Sequence, residues 1–153
     1  MFKKTISTAV LIMSFNTVAH ANLPEQFLQV KSTHSVKTTI DKLQSIVSKK
    51  GLTIFSRVKH SKSAEKIKIK INQSELLIFG NPKIGSKIMQ CNPEIGIDLP
   101  LKALAWKNNK GDVYLKYTNL RFIQTKYSLQ DCAINEIKKA SMALDKLTML
   151  STK

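Results

Sequence analysis

The stretch Gly80-Asn81-Pro82-Lys83, with Gly85, Ser86 and Lys87 just beyond it, has the residue types that hold an anion. Asparagine followed by proline opens a helix, and free backbone N–H groups at a helix start face an incoming negative charge. Gly80 and Gly85 let a ligand approach the backbone, Ser86 offers a hydroxyl, and Lys83 and Lys87 add charge. A carboxylate or a phosphate suits such a site. The competing reading is structural: Asn81 and Pro82 cap the helix, and the glycines serve close packing. The spacing lacks the Gly-Lys-Ser/Thr ending of a nucleotide phosphate loop.

Asp98 is a lone acid in the apolar run Gly96-Ile97-Asp98-Leu99-Pro100-Leu101-Lys102. If buried, it needs a partner or a shifted pKa. Lys102 is the expected partner. In a cleft Asp98 could act as a base; otherwise it fixes a loop by accepting N–H bonds. His60 is the second acid/base candidate. His34 and His60 stand 26 positions apart, without metal-ligand spacing. No metal or cofactor is expected, and no serine lies in a nucleophile-elbow motif.

Cys91 and Cys132 are the only cysteines. An even count in an oxidising compartment suggests a disulfide; two separate buried thiols are the alternative. No Cys-x-x-Cys pair points to thiol redox chemistry.

These residues need elements to position them. Phe27, Leu28 and Val30 read as a first strand. Val36, Ile40, Leu43 and Val47 lie on one helical face, with Ser35 as N-cap and Gly51 as terminator. Lys49 and Lys50 suit that helix's last turn. Leu52–Val58 reads as a strand. Between His60 and Ser74 the pattern is ambiguous: Lys66, Lys68 and Lys70 alternate with Ile67, Ile69 and Ile71, a period of two. A strand there would show three ammonium groups on one face, protecting a sheet edge or meeting an anion. Leu76–Phe79 reads as a buried strand, followed by a short helix from Pro82 through Met89 that Asn92-Pro93 closes. Ala103–Trp106 and Val113–Tyr117 form a hairpin around Asn108-Asn109-Lys110-Gly111. The last helix is expected from near Ser128, with Asp131 in a capping-box position. Its apolar stripe is Ile134, Ile137, Ala140, Leu144 and Leu147. The expected fold is α+β, ordered β-α-β-β-β-β-α, with an extra short helix before the hairpin.

The amino terminus reads as an export signal. Lys3 and Lys4 precede the mostly apolar Ile6–Phe15, and Ala19-His20-Ala21 fits a signal peptidase site. The apolar run is shorter than the roughly 20 residues that span a bilayer. Cleavage after Ala21 leaves 132 residues in one domain, 22–153, and export to the periplasm is expected. Loss of Lys3 and Lys4 takes the formal charge from +15 to +13. Such a chain can meet a small anion, an acidic partner or an anionic membrane surface. Nucleic acid is disfavoured by the export signal and by the lack of aromatics among the lysines.

Two longer motifs resemble the domain of unknown function 302 family. One is Leu76-Leu77-Ile78-Phe79-Gly80-Asn81-Pro82-Lys83 with Gly85-Ser86 and Ile88-Met89-Gln90. The other is Gly96 to Lys102, ending in Trp106. Ser35, Val36, Thr38, Gly51, Phe55 and His60 follow the order that family shows. The resemblance covers roughly 30–150 and implies a compact α+β domain with an antiparallel sheet, with a homodimer left open. It imports no activity. Lys59 stands where the family often has Asp, and Tyr127 where His is common.

Three functions are therefore expected to compete. The first is a binding or accessory protein of the cell envelope, holding a small anion or anionic partner near Gly80–Lys87. The second is an enzyme using Asp98 or His60 as acid or base. The third is a ligand-free oligomeric protein that presents an interaction surface.

Overall fold

The computed structural model describes residues 23–153. The expected signal segment and its cleavage point lie outside the described residues. Five strands are joined by helices in the order β1 (Phe27–Ser32), α1 (Val36–Lys49), β2 (Thr53–Val58), α2 (His60–Lys66), β3 (Ser74–Gly80) and α3 (Pro82–Cys91). A 3₁₀ turn (Pro93–Ile97), β4 (Leu101–Lys107), β5 (Val113–Thr118), α4 (Leu120–Lys126) and α5 (Ile134–Thr152) complete it. The fold is α+β. The strands form one antiparallel sheet in the spatial order β1-β5-β4-β3-β2.

Local signals explain most elements. The Ser35 side chain accepts from the Thr38 N–H at the start of α1, and Gly51 sits past its end at φ 70°. That left-handed conformation carries no steric penalty for glycine. The apolar face of α1 (Val36, Ile40, Leu43, Val47) is fully buried against Leu77 and Phe79 of β3, Ala103 and Ala105 of β4, and Leu115 of β5. Leu144 and Leu147 of α5 close the same core, so both long helices cover one face of the sheet. A second cluster, of Ile88, Ile95, Leu120, Ile123, Leu129 and Ile137, joins α3, the 3₁₀ turn, α4 and α5.

One open alternative is settled and one expectation corrected. The ambiguous stretch 66–71 forms no strand. Val58 already pairs with Leu76 across β2 and β3, so the connection between them is left outside the sheet. Residues 60–66 coil into α2 instead, and Lys68 takes φ 59°, which a strand cannot hold. The last helix begins at Ile134, not near Ser128. Leu120–Lys126 forms its own helix, capped by Asn119. Ser128 and Ala133 both lie at positive φ, so the chain turns twice before α5 starts.

Candidate functional site

The Gly80–Ile88 motif roofs a cavity of about 290 Å³. β3 carries Phe79 and Gly80 to the sheet end, and Asn81 and Pro82 turn the chain into α3. Ile84, Gly85 and Ile88 face the cavity from α3; Ala140, Ala143, Leu144 and Leu147 face it from α5. Leu52, Leu99, Leu101 and Leu120 complete an apolar wall, leaving Asn81 and Lys139 as its only polar lining residues. The space arises where small residues on α3 and α5 face each other. Lys139 and Ala143 are the exposed lining residues, one helical turn apart, so the cavity opens along that side of α5.

This arrangement recasts the anion site. The Asn81 side-chain oxygen accepts from the N–H groups of Lys83 (3.0 Å) and Ile84 (3.4 Å). Pro82 has no N–H to offer, and the Gly85 N–H bonds the Asn81 carbonyl at 2.8 Å. The first-turn donors are thus occupied within the chain. Lys87 faces Glu136 at 3.3 Å. Lys83 and Ser86 are exposed and do not line the cavity. A Cβ on Gly80 or Gly85 would meet its nearest atoms at 3.7 Å, an ordinary contact. The motif therefore contributes an apolar roof rather than an oxyanion cradle, and the cation at the opening, Lys139, comes from α5. Lys139 lay beyond the reach of sequence reasoning. Its only signal is its place one helical turn before Ala143 on α5.

Cys91 and Cys132 form a disulfide, with Cα atoms 6.0 Å apart. It ties the end of α3 to the segment before α5, beside the cavity's two helical walls. The closed loop spans 41 positions, worth about 4 kcal/mol in the chain-entropy account.

Asp98 lies apart from the cavity lining. Its Oδ2 accepts from Lys126 Nζ at 2.8 Å and from the Tyr127 hydroxyl at 2.7 Å. Lys102, the expected partner, instead donates to the backbone carbonyls of Asp98 (3.3 Å) and Pro100 (3.2 Å). Burial works against ionisation of Asp98, but the hydrogen bonds from Lys126 and Tyr127 outweigh it and hold the pKa below the usual carboxylate range. A carboxylate so stabilised is a poor general base near neutral pH. His60 is exposed at the start of α2 and reaches neither Asp98 nor the cavity lining. Among the described residues, no group of three His, Cys, Asp or Glu side chains could hold a metal ion.

A buried-edge ion cluster was not foreseen. Arg57 on β2 donates to Asp41 of α1 at 2.6 Å and twice to Glu75 of β3, at 2.9 and 2.6 Å. Burial disfavours the Arg57 charge, yet Asp41 and Glu75 outweigh it and raise its pKa. Arg57 is 16 positions from Asp41 and 18 from Glu75, so the pairing of β2 with β3 and the packing of α1 on the sheet bring them together.

Known proteins place this chain in a family. Two curated relatives are the fluoride-specific ion channel FluC 1 of Brucella suis biovar 1 (strain 1330) and FluC 2 of Brucella melitensis biotype 1. Each is 37% identical over 100 residues, which is 65% of this chain. The match spans only 39% and 37% of those proteins, respectively. Among the described residues here, no helix is long and apolar enough to cross a membrane. A crystal structure of an uncharacterized conserved protein DUF302 from Bacillus stearothermophilus superimposes with a TM-score of 0.65 at 13% identity. It covers 84% of this chain and 97% of its own, a likeness of fold. The family described as Domain of unknown function DUF302 matches residues 28–147, nearly all of the described chain, and the protein belongs to it.

Proposed function

We propose that the protein binds a small amphipathic anion, its apolar body in the cavity beneath α3 and its charged end at Lys139. One observation carries this reading: an apolar cavity of about 290 Å³ with a lysine at its opening. Small-molecule sites are concave, mostly apolar and oriented by a few polar groups, and this volume lies at the small end of their range. The Cys91–Cys132 disulfide supports a place in an oxidising compartment, in keeping with export. The test is calorimetric titration with decanoate and with decanol. Decanoate should bind one to one and decanol more weakly; no heat from either would remove the reading.

A second reading rests on the relatives. A stretch similar to this chain forms part of proteins named as fluoride-specific ion channels. The small anion could then be fluoride, and the domain an accessory to its handling. Fluorine NMR of millimolar fluoride should show broadening on adding protein; an unchanged line removes this second reading.

A further inference from the structure

Residues 67–73, between α2 and β3, join no strand or helix. Ile67, Ile69 and Ile71 are 68%, 54% and 46% exposed. Three large aliphatic side chains within five residues are thus left in water, which soluble surfaces avoid clustering. Lys66, Lys68 and Lys70 alternate with them, all exposed. None of the three forms an ion pair among the described residues. Between α2 and this segment runs an open groove of about 500 Å³, lined by Lys62, Lys68, Lys70, Ile69 and Ile71. Its only acid is Glu65, which faces Lys62 at 3.6 Å. Next to it, Ile71 shares a second concavity with Lys107 and Lys110 of the β4–β5 hairpin.

We infer that this segment docks the protein on an anionic phospholipid bilayer. Interleaved aliphatic and ammonium groups suit few other surfaces. A bilayer interface accepts both: the isoleucines enter the headgroup–acyl boundary while the ammonium groups stay among lipid phosphates. The groove between Lys62, Lys68 and Lys70 offers room and charge for one headgroup. A nucleic acid would be met by no aromatic side chain for stacking. A second copy of this chain would bring the same lysines against each other.

The test is co-sedimentation with vesicles of phosphatidylglycerol and phosphatidylcholine, against vesicles of phosphatidylcholine alone. Wild-type protein should pellet with the anionic vesicles only. Ile67→Ser/Ile69→Ser/Ile71→Ser should lower the partition coefficient at least tenfold at unchanged net charge. Lys66→Gln/Lys68→Gln/Lys70→Gln should lower it about 100-fold. Lys49→Gln/Lys138→Gln/Lys146→Gln removes the same charge elsewhere and should retain most binding. Circular dichroism checks that each variant stays folded, as expected of side chains outside the two cores. No pelleting of wild type, serine variants that bind like wild type, or equal loss in the distant variant would each overturn the inference. So would a dimer in analytical ultracentrifugation that the serine substitutions dissolve, which would assign the surface to a second copy.

Discussion

The Tyr127 hydroxyl donates to the Asp98 carboxylate across 2.7 Å, linking the end of α4 to the turn that leads into β4. Lys126 reaches the same oxygen at 2.8 Å. Tyr127→Phe should therefore cost about 1 kcal/mol and Asp98→Asn about 1–3 kcal/mol in chemical denaturation. Equal stability of both variants with wild type would show that the contact is idle in solution.

The same carboxylate sets a pH dependence. Its folded pKa is lowered, so its contribution is fully present above the ordinary carboxylate value of about 4. It is lost as pH falls through the lower folded value. Melting temperature should drop more between pH 5 and about pH 3 in wild type than in Asp98→Asn. Parallel curves would place the acid sensitivity elsewhere; Asp41, lowered by hydrogen bonds from Lys37 and Arg57, is the next candidate.

Cavity variants separate shape from charge. Ala140→Leu/Ala143→Leu narrows the space from α5 and should weaken decanoate at least tenfold. Lys139→Ala should weaken decanoate about five- to tenfold and leave decanol unchanged, the signature of a charge contact at the opening. Loss of both ligands equally in Lys139→Ala would mean that the lysine stem packs rather than pairs.

Reduction of Cys91–Cys132 should lower stability by about 2–4 kcal/mol, read as a shift of the urea midpoint. Decanoate affinity should fall as well, because α3 and α5 form facing walls of the cavity. A destabilised protein with unchanged affinity would show that the walls hold their spacing without the bond.

Removal of the Arg57 guanidinium leaves Glu75 without its cation and Asp41 with Lys37 alone. Arg57→Ala should cost about 1–3 kcal/mol, reduced from a fully buried case by its partial exposure. Its 18% side-chain exposure is the reason for that discount. The double variant Arg57→Leu/Glu75→Leu should recover part of the loss, and failure to do so would point to lost strand pairing instead.

What depends on neighbours along the chain can be read from the residues in order. The apolar stripe of α1, its Ser35 cap and Gly51 stop, the Asn81-Pro82 start of α3 and the β4–β5 hairpin are all legible there, since each turns on residues a few positions apart. The same locality limits what can be read. Lys66–Ile71 has a strand's alternation, but α2 takes up Lys66 and the positive φ of Lys68 breaks the extended backbone that a strand needs. Ser128 and Asp131 have a cap's spacing, but α4 consumes the preceding residues and turns the chain first. The motif Gly80–Lys87 marks the start of α3, yet its sequence cannot show that Asn81 occupies the helix donors while one face of α3 roofs an apolar space. Tertiary structure alone decided that Lys139 guards this space, that Asp98 answers to Lys126 and Tyr127 some 28 and 29 positions away, and that Cys91 meets Cys132. Cavities and long-range pairs arise from how elements pack against one another, and packing is a property of the whole chain rather than of any window within it.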